Sequence, residues 1–203
     1  MDFESRKKDM IVLLKKLVES ESPSNDKAAV DKVGTLVAEE CHLLGADVEF
    51  VPNSVTGDHV IARFNPHPSP LSRGEMGVLL MHHMDTVFPI GTLGKMPFYE
   101  KDDKIFGPGV LDMKGGIVIS LAAIAALKEA DLLKRPVTVL VTSDEEIGSG
   151  TSEELITRLA KDAALVLVME SGLVDGSLKT WRKGVGDFLV KVKGRAAHAG
   201  GAH

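Results

Sequence analysis

The chain has 203 residues, 44% of them hydrophobic, enough for one full core and the start of a second domain but not for two large ones. A formal net charge of −5 provides no basic stripe to neutralise phosphates, which argues against a nucleic-acid-binding protein. The single cysteine, Cys41, excludes an internal disulfide and a cysteine-ligated zinc site, and it suits a reducing compartment.

The opening "MDFESRKKDM" has no apolar signal-peptide core, and no apolar stretch reads as approaching the roughly 18 residues of a membrane span, so the expected location is the cytoplasm. Residues 3–19 place Met10, Leu13, Leu14, Leu17 and Val18 at helical spacing, with Lys7, Lys8, Lys15 and Lys16 on a solvated face. "SPSND" then breaks the helix and supplies an N-cap for a second one, from about Asp26 to Leu44, which Gly45 stops. "ADVEFV" and "HVIARF" read as short strands about the turn-rich "PNSVTGD". Residues 65–77, rich in Pro, Ser and Gly, read as an exposed loop in which His67 is solvated.

From residue 78 short apolar runs alternate with helices. "VLLMH", "PVTVLVTS" and "ALVLVM" read as strands buried on both faces, and "GGIVISLAAIAALKEA" and "TSEELITRLA" as the helices between them. The fold class is α/β, a mostly parallel sheet flanked by helices. "SLKTWRKG" and "VGDFLVKVKG" alternate apolar with polar residues, as strands with one wet face do. The shift in composition near Gly184 sets the expected domains at 1–183 and 184–203.

Ligands of open α/β sheets bind beyond the carboxyl ends of the strands. The three apolar runs end in His83 with Asp85, in Asp144, Glu145 and Glu146, and in Glu170. Asp112, in "GPGVLDMKGG", precedes the helix of residues 114–130, where glycines allow close backbone approach. Taken singly, each is an ordinary surface or capping residue, and "TSDEEIGSG" by itself reads as an acidic loop with a helix N-cap at Ser149 or Thr151. Together they conflict, because carboxylates crowded on one sheet edge repel by about 4 kcal/mol per close pair at an effective dielectric near 20. Lys95 and Lys114 are too few to compensate, whereas one or two divalent cations with His and carboxylate ligands suffice. Imidazole without thiolate favours zinc, with cobalt or manganese as other occupants.

Side chains alternate faces in an extended chain, so His83 and Asp85 point one way and His82 the other. An aspartate beside a ligating imidazole can accept its second N–H. Glu145 and Glu146 are neighbours that do not easily share one ion, so one should bind metal and the other serve as general base.

"HHMDTV", "GPGVLDMKGG", "TSDEEIGSG", "VMESG" and "GRAAHAG", in that order, resemble the co-catalytic zinc carboxypeptidase and aminoacylase family, and look most like its glutamate carboxypeptidases, from about residue 10 onward. The resemblance implies a zinc-peptidase catalytic domain followed by the start of an α+β dimerisation lid. It implies that His83 and Glu170 bind one Zn2+ and Glu146 the other, that Asp112 bridges them, and that the Asp112–Met113 peptide is cis. It further implies that Asp85 orients His83, that Glu145 is the general base, and that His198 stabilises the oxyanion from the lid. The implied reaction is hydrolysis of an amide next to a free carboxylate, in a peptide or an N-acyl amino acid, by a homodimer without nucleic-acid or membrane partners.

Family members run to nearly twice this length, and their final histidine ligand and substrate-binding arginine have no counterpart here; His203 matches no family ligand. The expectation is therefore a fragment or a shortened product that is a poor catalyst by itself. The alternative is a truncated, non-catalytic metal- or partner-binding relative. A flavodoxin-like or dinucleotide-binding protein fits the α/β pattern but would need a GxGxxG loop, which the sequence lacks.

Overall fold

The computed structural model describes residues 2–65, 77–184, 186, 188–191, 193, 194 and 201; His67, His198 and His203 lie outside the described residues. The chain divides into two units, Met1–Ser171 and Gly172–His203.

The first unit opens with helices α1 (Lys7–Glu19) and α2 (Lys27–Leu43). α1 starts later than its apolar spacing suggests, because the Asp2 carboxylate accepts the N–H groups of Glu4 and Ser5 and holds residues 3–6 in turns. Asp26 caps α2 by accepting the Ala29 N–H at 3.0 Å, and Gly45 closes it with a φ of 83°. The strands β1 (Asp47–Val51), β2 (His59–Phe64) and β3 (Gly77–His83) follow. A small hairpin, β4 (Tyr99–Lys101) and β5 (Lys104–Phe106), was not foreseen, since three-residue arms carry no readable alternation. Its Tyr99 and Phe106 rings stack at 4.7 Å. Helix α3 (Gly115–Glu129), strand β6 (Val137–Thr142), helix α4 (Glu153–Lys161) and strand β7 (Ala163–Val168) complete the unit.

The main sheet has the order β1-β2-β6-β3-β7. β3 pairs parallel with β6 and β7, while β2 pairs antiparallel with β1 and β6, so β2 alone runs against the other four strands. The sheet is mostly parallel, as expected. From β3 the chain crosses to β6 on one side, and from β6 it crosses to β7 on the other. The carboxyl end of β3 is thus a topological switch point, where such sheets bind ligands.

Alternation along the strands divides the core between two faces. Val60, Ala62, Phe64, Leu80, Val139 and Val141 face α1, α2 and α3, while Ile61, Leu79 and Leu140 face α4 through Leu155. Burial of each Leu, Ile or Val of this kind stabilises the fold by about 1.5–3 kcal/mol.

The structure corrects three readings. β7 is not buried on both faces: Leu165, Leu167 and Val168 are exposed, and β7 is the edge strand among the described residues. Val110–Glu129 is apolar enough over 20 residues to match a membrane span by length and composition, which the sequence reading did not register. In the fold its backbone is non-helical at Asp112 and Met113, and Met113, Ile117, Val118, Leu121 and Ile124 are buried in the domain. In the second unit, the described residues of "SLKTWRKG" and "VGDFLVKVKG" form no strand. That unit has a turn in which the Leu173 N–H donates to Ser177 O and the Gly176 N–H to Leu173 O. Alternation alone does not make a strand, which needs a partner for its backbone hydrogen bonds.

Candidate metal centre

His83 is the last residue of β3 and is buried. Its Nδ1 lies 3.0 Å from the backbone carbonyl of Asp85 and 3.4 Å from Asp85 Oδ1, so the spacing of two does bring Asp85 to the ring, with the carbonyl as the nearer acceptor. This leaves Nε2 facing outward, 3.0 Å from Asp112 Oδ1, 3.1 Å from Glu170 Oε1 and 3.8 Å from Glu145 Oε2. His82 points the other way. Its Nδ1–H donates to Leu140 O at 3.2 Å, its Nε2 accepts from Ser120 Oγ at 2.8 Å, and burial pushes its pKa down to about 4, so it is a neutral tie between β3, β6 and α3.

Asp112 reaches the centre through a Gly-rich turn whose Asp112–Met113 peptide is cis, as the resemblance implies. The two glycines that follow have a spatial reason. A Cβ on Gly115 would sit 2.7 Å from Val110 O, and one on Gly116 would collide with the backbone carbonyl of Met169. Their absence lets α3 start against the segment that delivers Glu170. Lys114 does not face the carboxylates as a compensating charge. Its Nζ turns into the core and donates to Leu17 O and Ser20 O, both at 2.9 Å, and burial lowers its pKa to about 7.

Glu145 and Glu146 stand in a turn after β6. Asp144, grouped with them in the sequence reading, has a different place. It is buried and its Oδ2 accepts from Thr151 N, Thr151 Oγ1 and Ser152 N at 2.7, 2.7 and 3.1 Å, capping the start of α4. The helix N-cap falls at Ser152 rather than at Ser149 or Thr151.

His83, Asp112 and Glu170 each place one ligand atom within 4.8 Å of the others; Glu146 is not in that group. Burial raises the Glu146 pKa, and the negative charge of Asp112 raises it further. Glu145 is likewise raised, by burial first and then by Glu170, Asp85 and Asp112. Burial opposes a charge on His83, but Asp85 and Glu170 outweigh it and push the imidazole up to about 11. Burial aside, the carboxylates of the cluster act in one sense, favouring a positive charge among them. Donor atoms around a four-coordinate ion with bonds of about 2.0–2.1 Å lie about 3.3 Å apart. The separations of 3.0 and 3.1 Å about His83 Nε2 are close to that, and a nitrogen–oxygen set without thiolate fits zinc, cobalt or manganese.

A model of peptidase family M20/M25/M40 matches residues 79–186, just over half of the chain. The chain belongs to this family. Its M20 relatives include carboxypeptidase G2 of Pseudomonas sp. (strain RS-16), 36% identical over 197 residues, covering 95% of this chain and 46% of that protein. Acetylornithine deacetylase of Photorhabdus laumondii is 34% identical over 145 residues, covering 67% of this chain and 36% of that protein. The chain spans less than half the length of these curated relatives. The crystal structure of human carnosine dipeptidase 1 superposes with a TM-score of 0.71 at 18% identity over 85% of this chain and 40% of that one, a likeness of fold. Relatives in the M20 family are hydrolases, and the family is metal-dependent.

His198, expected to serve from the lid, lies outside the described residues. One side chain that sequence reasoning passed over is Ser24, read only as part of a helix break, whose hydroxyl donates to Asp85 Oδ2 at 2.7 Å across 61 residues of chain. No local pattern signals so distant a contact.

Proposed function

We propose that these residues form the metal-binding wall of a zinc-dependent peptidase or amidohydrolase that cleaves an amide next to a free carboxylate, in the C-terminal residue of a peptide or in an N-acyl amino acid. The observation that carries this reading is the convergence of His83, Asp112 and Glu170 at the carboxyl end of β3 in an M20 chain. The names of the relatives, a carboxypeptidase, a deacetylase and a dipeptidase, support that substrate class. They give no support to a non-catalytic binder.

In this reading His83 and Glu170 would hold one Zn2+, Glu146 would hold a second, and Asp112 would serve both, with Co2+ or Mn2+ as replacements. Bound ions of this kind polarise a carbonyl and lower the pKa of water. Asp85 keeps the Nδ1–H of His83 engaged, which reserves Nε2 for the ligand position. Glu145, with its raised pKa and half-exposed side chain, takes the proton of the attacking water and returns it to the leaving amine. Residues 1–183 would be the catalytic portion and 184–203 the beginning of a lid that offers His198 to the oxyanion in a cytoplasmic homodimer.

Metal content per chain after loading with Zn2+ and desalting tests the reading, in the wild type, His83→Ala and Glu146→Ala. We expect two ions in the wild type and a loss in each variant. One ion per wild-type chain would favour the non-catalytic alternative, and none would exclude a metal centre.

A further inference from the structure

We propose that Ser24 is a positioning residue of the metal centre: through the Asp85 carboxylate it locks the exit of β3, which carries His83, to the turn that carries Glu145 and Glu146. The ligand roles of these residues rest on the function proposed above, whereas the positioning itself stands on geometry.

Asp85 is fully buried, so its carboxylate depends on protein donors. Oδ2 accepts from Ser24 Oγ at 2.7 Å and from the Glu146 N–H at 3.2 Å. Oδ1 accepts from the Glu145 N–H at 3.3 Å and lies 3.4 Å from His83 Nδ1. A carboxylate offers about four acceptor directions; three of them take these hydrogen bonds, and the His83 ring, whose Nδ1–H has the Asp85 carbonyl as its nearer acceptor, stands beside the fourth. Three of these four neighbours belong to the groups being placed: the imidazole at the end of β3 and the two amides after β6. Ser24 is the fourth, it comes from neither strand, and its contact is the shortest, in the range of a charge-assisted O–H···O bond.

Ser24 is itself well anchored. It is buried, and the segment before it runs beside residues 84–86: Ser22 Oγ donates to Met84 O at 2.7 Å, the Thr86 N–H donates to Ser22 O at 2.8 Å, and Pro23 forms a parallel bridge with Thr86. Capping of the following helix does not occupy it, since Asp26 does that. Without the hydroxyl, one acceptor direction of a buried carboxylate is left unfilled. Asp85 can then turn about its side-chain bond to satisfy it, releasing the two amides and the ring.

The test is amide hydrogen exchange by NMR on the cation-free 203-residue chain, for wild type, Ser24→Ala and Ser24→Thr, followed by Co2+ titration of the same samples. In Ser24→Ala we expect exchange at the Glu145 and Glu146 amides to accelerate about tenfold, with the amides of β6 unchanged. Co2+ affinity should fall by about 10- to 100-fold with an altered visible spectrum, and Ser24→Thr, which keeps the hydroxyl, should restore both. Three results overturn the proposal: exchange at both amides within twofold of wild type in Ser24→Ala, an acceleration spread evenly over β6, or a Ser24→Thr chain that exchanges as fast as Ser24→Ala. A wild-type chain that binds no Co2+ overturns the metal-centre reading instead, and the exchange rates still decide the role of Ser24.

Discussion

At the residue scale, His59 shows how burial sets the charge state of a group outside the metal cluster. It sits at the start of β2, with Nδ1 3.1 Å from Ser143 Oγ and Nε2 3.2 Å from Thr151 Oγ1, whose hydroxyl donates to Asp144 Oδ2. Burial lowers its pKa despite the negative charge of Asp144 nearby. The unfolded chain therefore takes up a proton near pH 6.5 that the folded chain refuses, so this contribution to stability is present above 6.5 and is lost as pH falls below it. His83, whose pKa is raised, acts in the opposite sense, so only the difference between two chains isolates His59. Urea midpoints at pH 7.5 and 5.5, in cation-free buffer, should fall more for wild type than for His59→Gln, and parallel losses would remove His59 from this role. Legibility at this scale followed the backbone. The alternation of β3 distinguishes His83 from His82, whereas nothing local distinguishes Asp144 from its acidic neighbours. Its separate duty depends on where α4 begins, which is a fact about space.

At the element scale, the start of α3 shows a local preference opposed by its surroundings. In a helix interior, alanine in place of glycine gains about 1 kcal/mol. At Gly116 the added Cβ would meet the carbonyl of Met169, a backbone atom that cannot rotate aside. Overpacking of that kind costs about 1–3 kcal/mol and moves the segment that carries Glu170. Gly116→Ala should therefore lower the thermal midpoint and weaken Zn2+ binding together; a variant as stable as wild type with unchanged affinity would show that the segment yields freely. The helices and central strands were legible because their apolar periods are long. The β4–β5 hairpin was too short to carry a period, and β7 reads as a doubly buried strand because apolar sequence records hydrophobicity and not the neighbour that would cover it. The alternating residues of 177–194 fail in the same way: the pattern suits a strand, but none of the described residues there joins a strand ladder.

At the scale of the whole molecule, sequence order was enough to give the α/β class and to point to the carboxyl ends of the strands, because alternating strands and helices leave few topologies. Which side chains meet there depended on turns whose geometry is set by contacts distant in sequence, such as Ser24 with Asp85 and Lys114 with the end of α1. The assembled centre therefore exists only when the whole sheet is folded, and cation binding must be coupled to global stability. A ligand that binds the folded chain alone stabilises it by RT ln(1 + [L]/Kd), about 2.7 kcal/mol at a hundredfold excess over Kd. With a shift of about 2–4 °C per kcal/mol for a domain of this size, saturating Zn2+ should raise the thermal midpoint by roughly 5–11 °C. A chelator should reverse the rise. His83→Ala should abolish it, since His83 Nε2 is the nitrogen about which Asp112 and Glu170 gather. His59→Gln, which leaves those donors in place, should keep it. If the midpoint moves equally in wild type and in His83→Ala, the stabilising ion is bound elsewhere; if the wild-type midpoint does not move with Zn2+ at all, the end of β3 is not a centre that folds around metal.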